Sequence, residues 1–148
     1  MLHVTLITCG KLKEKYLQDA VKEYKKRLGG YITLTEKELN DGPDIGTEGI
    51  RIEKAIPESA YIITLEIEGE ELTSVQFAEA IEKLMNGGES HICFIIGGSD
   101  GIAENIKARA KGHLSFSKMT FPHQLMRVIF LEQLYRAFKI IKGEPYHK

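Results

Sequence analysis

From Gln124 to Lys142 the chain runs without a glycine or proline, and its apolar residues fall on two sides of a helix. Met126, Ile129, Phe130, Leu134, Ala137 and Ile141 form one stripe at i, i+3, i+4 spacing. Leu125, Val128, Leu131, Tyr135 and Phe138 lie largely opposite. A surface helix of a small domain needs only one apolar face. Two faces require burial on two sides, one of them expected against a second subunit. Thr120 is placed to cap this helix, and Pro122 fits its first turn. Gly143 stops it, with Pro145 shortly beyond.

The segments before it alternate in period. Leu2–Thr8 reads as a strand, followed by a helix carrying Leu17, Ala20, Val21, Tyr24 and Leu28 and closed by Gly29-Gly30. Tyr31–Thr35 is a second strand. Thr47 is a candidate cap for a short helix that Pro57 ends. Ala60–Leu65 is strongly β-prone, and Glu66–Leu72 reads as an acidic loop. Thr73 and Gln76 have capping-box spacing ahead of a helix with Phe77, Ala80, Ile81, Leu84 and Met85 on one face. His91–Ile96 is an apolar strand, then a helix at about Ala103–Ala110 and a short strand over Leu114–Ser117. This order predicts an α/β layer structure with a mostly parallel sheet. At 148 residues and 43% hydrophobic, residues 1–148 form one domain with enough chain for a core.

Composition excludes several classes. No apolar run reaches the roughly 18 residues of a membrane span. The N-terminus lacks the order of a signal peptide. Cys9 and Cys93 lie in strand-like segments and read as buried thiols of a reducing cytoplasm. No metal-ligand spacing occurs. Net charge is −1, but it is segregated. Residues 1–30 carry seven Lys/Arg against three Asp/Glu, residues 31–100 four against fifteen, and residues 101–148 nine against three. Basic ends flank an acidic middle, so a positive surface forms if the ends meet in space.

Two stretches are able to carry chemistry. Gly97-Gly98-Ser99-Asp100-Gly101 follows a strand and precedes a helix, where α/β proteins bind ligands. The same string fits a tight turn equally well. It also fits G-x-S-x-G, with Ser99 as the nucleophile of a serine hydrolase and His113, His123 or His147 as base. Glu132 and Arg136 sit four apart on one helix face; on spacing alone they read as a salt bridge. Tyr146-His147-Lys148 reads as a fraying tail. His3, His91, His113 and His123 read as structural or surface histidines.

One further reading rests on resemblance. The block LSFSKMTFPHQLMRVIFLEQLYRAFKIIKGEPYHK, preceded by FIIGGSDGI, closely resembles the RlmH family, the 23S rRNA pseudouridine-N3 methyltransferases of the SPOUT superfamily. VTLITCGKLKEKY and TLEIEGEELTS extend the resemblance over nearly the whole chain. It implies a C-terminal trefoil knot, a homodimer, S-adenosyl-L-methionine as cofactor without metal, and 23S rRNA within the ribosome as substrate. It implies cofactor binding at Leu65, at Gly97, and along Phe116, Ser117, Lys118, Met119, Thr120 and Phe121. It implies catalytic roles for Glu132, Arg136, Tyr146 and His147: His147 is suited to accept a proton, Arg136 to stabilise an anion, Glu132 to orient Arg136 or to act as base instead, and Tyr146 to stack on or hydrogen-bond the base, with the tail folded over the methyl group. A ribosome-binding module without catalysis is the non-enzymatic alternative. Family members often carry Gly-Lys where this chain has Gly69-Glu70, and a longer segment in place of Leu39–Pro57.

Overall fold

The computed structural model covers Met1–Lys148. Five strands alternate with five helices: β1 (Leu2–Cys9), α1 (Lys15–Leu28), β2 (Ile32–Leu39), α2 (Ile45–Ala55), β3 (Tyr61–Glu71), α3 (Ser74–Asn86), β4 (His91–Ile96), α4 (Glu104–Arg109), β5 (Gly112–Ser115) and α5 (His123–Ile141). The sheet is parallel throughout, in the order β2-β1-β4-β3-β5. This is the α/β layer architecture expected from the alternation.

Both faces of the sheet are covered, so the central strands are apolar in both directions. Leu2, Val4 and Leu6 of β1 and Ile92, Phe94 and Ile96 of β4 face a core built with α1, α3 and α5. Ile7, Cys9, Cys93 and Ile95 face a smaller core built with α2 and α4. Burial pushes the two thiols up, to about 11 for Cys9 and about 12 for Cys93, so neither is poised as a nucleophile.

The structure alters four expectations. The acidic stretch after Leu65 is not a loop: β3 runs to Glu71. Leu65 and Glu70 both pair with Leu114, so the register slips there and Glu66–Gly69 bulges from the edge of the ladder. The cap of α2 is Asp44, whose carboxylate accepts from the Thr47 amide at 2.7 Å, rather than Thr47. Thr120 does not cap α5; Pro122 holds the N-cap position with no side-chain bond. Lastly, the two apolar sides of α5 are satisfied within the chain. From the edge strand β5 the chain returns so that α5 packs against both α1 and α3. Phe130, Leu131, Leu134, Ala137 and Phe138 are buried there. Two-sided burial therefore required no second subunit. The capping box of Thr73 and Gln76 is present as expected.

Candidate active site

The carboxyl ends of β3, β4 and β5 open onto a cavity of about 650 Å³, closed on one side by the first turn of α5. Ligands bind at this end of parallel sheets because the strand-to-helix loops converge there. Leu65, Ile96, Leu114, Phe116 and Met126 give it apolar walls. The loops Gly97–Ile102 and Phe116–Phe121 supply backbone groups around them.

The first loop is a tight turn, the Gly101 amide donating to the Gly98 carbonyl at 3.1 Å. A Cβ on Gly97 would press on the Gly101 carbonyl and come within 2.7 Å of Ile102 Cγ1. Gly97 is therefore demanded by the turn itself. Behind the turn lies buried Glu48. Its Oε2 accepts from the Gly42 amide at 3.2 Å, while Oε1 has no partner. Ser99 is exposed at the tip of the turn.

The second loop is anchored at one end and open at the other. Phe116 stacks on Phe130 with centroids 6.2 Å apart and meets Phe77 edge-on. Ser117 Oγ accepts from the Met119 amide at 2.9 Å. Ser117, Met119, Thr120 and Phe121 line the cavity with Leu65, Gly97 and Phe116, all residues that the resemblance names for the cofactor; Lys118, named with them, is not a lining residue.

Three features escaped the sequence reading. His123, taken as structural, lines the cavity. Glu66, placed in a loop, lies on its wall and accepts from Thr64 Oγ1 and from His113 Nδ1 at 2.6 Å, with Lys107 Nζ at 3.5 Å. Burial works to raise its carboxyl, but these hydrogen bonds prevail and hold it below the usual carboxylate range. Arg127, one turn beyond His123, is buried and donates from Nη1 to Glu38 Oε2 at 2.6 Å and from Nη2 to the Gly10 carbonyl at 3.0 Å. A lone arginine inside Leu125–Leu131, otherwise uncharged, was the available signal.

Glu132, Arg136, Tyr146 and His147 do come together. Arg136 forks onto Glu132, Nη2 to Oε2 at 2.9 Å and Nε to Oε1 at 3.3 Å. Tyr146 Oη donates to Glu132 Oε2 at 2.8 Å. The Arg136 guanidinium lies 4.9 Å over the Tyr146 ring, which meets Tyr135 edge-on at 4.9 Å. Burial, then the Glu132 bond, pushes the Tyr146 phenol up to about 12. Arg136 Nη1 lies 3.1 Å from His147 Nδ1. A guanidinium only donates, so Nδ1 accepts in this contact. The tail is thus pinned along α5 rather than frayed. None of the four lines the cavity of its own chain. Along α5, Glu132 lies roughly 9 Å and Arg136 roughly 15 Å beyond Met126, at about 1.5 Å per residue.

A family model described as "Predicted SPOUT methyltransferase" matches residues 2–147. The chain is 54% identical to the ribosomal RNA large subunit methyltransferase H of Bifidobacterium adolescentis, over 99% of this chain and all of that one. It is 50% identical, at the same coverage, to the protein of that name from Clostridium beijerinckii. The chain belongs to the RlmH family of SPOUT methyltransferases. A solved structure described as "a probable methylase family protein from Haemophilus influenzae" shares this fold at TM-score 0.61 and 11% identity, over 99% of this chain and 70% of that one. Family membership removes the serine-hydrolase reading of Ser99, and the glycine turn of this SPOUT protein stands as a cavity wall. No group of three or more His, Cys, Asp or Glu side chains is placed to hold a metal, and no helix is long and apolar enough to cross a membrane.

Proposed function

We propose that this protein is a cytoplasmic, homodimeric methyltransferase that moves a methyl group from S-adenosyl-L-methionine to N3 of a pseudouridine in a 23S rRNA stem-loop at the ribosomal subunit interface. The observation that carries this reading is the cavity at the carboxyl ends of β3, β4 and β5, walled by the residues that the family resemblance assigns to the cofactor. Its volume suits a nucleoside-sized ligand. Leu65, Met119 and Phe121 supply flanks for an adenine ring, and the two loops supply backbone partners for its edge and for an amino-acid part. When bound, the cofactor supplies an electrophilic methyl on a sulfonium.

The chain's own residues must then handle a proton and a charge. N3 of pseudouridine lies between two carbonyls, so removing its proton spreads negative charge over both oxygens. Glu132 accepts from Arg136, Tyr146 and Gln133, so its lone pairs are committed and it serves to orient. Arg136 serves the developing anion. Drawing Arg136 Nη1 toward that anion would free Nδ1 of His147 to take the N3 proton. Tyr146 positions the base.

Because the four groups lie away from the cavity of their own chain, the reading requires a second copy whose tail reaches this cavity. Ile129, half-buried on α5 and packed against neither core, supports a face for it.

The test is methylation of ribosomes from a strain lacking the endogenous enzyme, read by nucleoside mass spectrometry. N3-methylpseudouridine at one position of the large-subunit rRNA is the expected product. Absence of product, with intact ribosomes and cofactor present, overturns the reading.

A further inference from the structure

The mouth of the cavity carries opposite charge on its two sides. On the β3 side, Glu66, Glu68, Glu70 and Glu104 line an adjoining open groove, relieved only by Lys107 and His113. On the other side run the segment joining β1 to α1, with exposed Lys11 and Lys13, and the first turn of α1, with exposed Lys15 and Tyr16, the latter 69% exposed. Lys15 pairs with Asp19 at 3.0 Å, whereas Lys11 and Lys13 have no carboxylate within ion-pair reach.

This basic segment is fixed against the cavity. A side chain at Gly10 would come within 3.0 Å of Asp41 Oδ1 and within 3.2 Å of Nε2 of His123, a cavity wall residue. The Lys13 amide donates to Gln124 Oε1 at 3.3 Å. The Leu12 amide donates to Glu38 Oε2 at 3.1 Å, the same oxygen that takes Arg127 Nη1. Gln18 Nε2 donates to the Leu12 carbonyl at 2.6 Å. Two ammonium groups outside any ion pair, Lys11 lying near enough to help lower the Glu38 carboxyl, and an aromatic ring are thus displayed from a staked backbone at one rim. A phosphate chain approaching over the opposite rim would meet carboxylates.

We infer that the RNA strand flanking the target nucleotide crosses the β1–α1 segment, with its phosphates on Lys11 and Lys13 and a neighbouring base stacked on Tyr16, and that the acidic groove keeps it off the β3 side. The inference rests on the function proposed above. Phosphate neutralisation sets a salt dependence, and a stacked base tolerates any sequence at that step.

The experiment measures ribosome binding and methyl-transfer KM across a salt series for the parent, Lys11→Glu/Lys13→Glu, Tyr16→Ala and Glu104→Lys. S-adenosylhomocysteine titration and light-scattering mass are recorded for each. The double lysine variant is expected to bind ribosomes at least tenfold more weakly, with a log–log salt slope reduced by about two. Tyr16→Ala is expected to bind about tenfold more weakly with the slope unchanged. Glu104→Lys is expected to bind as tightly as the parent or tighter. Cofactor affinity and mass should stay at parent values in all three. Parent-like KM and slope in the lysine variant overturn the path while leaving the proposed reaction intact. So does weaker binding by Glu104→Lys. A lowered mass for Tyr16→Ala assigns the ring to a subunit contact and overturns the stacking role. A parent that methylates no ribosomes removes the proposed function, and the path with it.

Discussion

Arg127 and Glu38 form an ion pair across 89 residues of sequence, with Nη1 2.6 Å from Oε2. The two partners are unequally exposed: the arginine side chain is 3% accessible and the glutamate 37%. Losing one partner is therefore not symmetric. After Arg127→Met, Glu38 turns to water. After Glu38→Ala, the guanidinium stays buried with an orphaned Nη1 beside an Nε that already lacks a partner. Glu38→Ala should cost about 3–5 kcal/mol, and Arg127→Met clearly less. Urea denaturation of both variants checks the order.

The same pair predicts a pH dependence. Burial works to raise the Glu38 carboxyl, but hydrogen bonds from Arg127 and the Leu12 amide prevail and lower it. A carboxyl lowered in the folded state stabilises the fold above its ordinary value of 4.5. That contribution fades as pH falls from there through the lower folded value. Stability measured from pH 7 to pH 3 should drop more steeply in the parent than in Glu38→Gln. Parallel curves would remove the pair from the acid response.

Gly97→Ala should damage the turn before it damages any ligand contact. Its new Cβ meets the Gly101 carbonyl and Ile102, both part of the chain's own close packing. Forcing the turn open costs about 1–3 kcal/mol. Thermal unfolding without ligand should already register the loss. A variant with parent stability but no cofactor binding would show instead that the glycine serves the ligand alone.

Glu48 is 8% exposed with one carboxylate oxygen unpartnered, a desolvated charge satisfied on one side only. Glu48→Gln keeps the shape and removes the charge. It should stabilise the protein by about 1 kcal/mol if its carbonyl takes over the Gly42 amide bond. Equilibrium unfolding decides, and a loss above that size would reveal a second partner for the ionised form.

How much of this was legible differs by element. The Thr73–Gln76 capping box is local chemistry, and four residues specify it. The extension of β3 is not local. Glu66–Glu71 lacks strand composition and is held by its pairing with β5, more than 40 residues later in the chain. Asp44 and Thr47 are rival caps three residues apart, and only the fold chooses between them. The two faces of α5 were readable as faces, but their partners, α1 and α3, were not. Within the candidate site, the Glu132–Arg136 pair follows from helix spacing. Glu48 carried no signal, because an acid on a short amphipathic helix reads as solvated.

Two positions on α5 separate assembly from folding. Leu131 is fully buried inside the chain, while Ile129 is half-buried on the outward side. Leu131→Glu should unfold the protein, since it buries an unpaired charge. Ile129→Glu should leave circular dichroism unchanged and halve the mass seen by light scattering. A folded Ile129→Glu that keeps the parent mass would move the subunit contact elsewhere.

The tail bears on both stability and chemistry. Tyr146→Phe keeps the ring against Tyr135 and loses only the bond to Glu132, a change of about 1 kcal/mol. The phenol raised to about 12 also fixes a sign: its stabilisation is whole below the ordinary tyrosine value of 10.0 and is lost as pH climbs toward 12. Ultraviolet titration of parent minus Tyr146→Phe should show that late ionisation. Removing Tyr146–Lys148 should leave fold and cofactor affinity near parent values and abolish single-turnover methylation of ribosomes. Methylation at close to the parent rate would make the tail idle.

The position of α5 in the core also sets an order of events during synthesis. Phe130 packs 4.7 Å from Phe94 and stacks on Phe116, in the larger core, yet it belongs to the fifth helix, made after all five strands. No strand of the sheet pairs through a hairpin, and β1 finds β4 only after more than 80 residues have intervened. Until α5 is made, α1 and α3 lack the helix that packs against both of them. The larger core therefore cannot be completed before the fifth helix is made, and a chain stopped short of α5 would expose apolar surface.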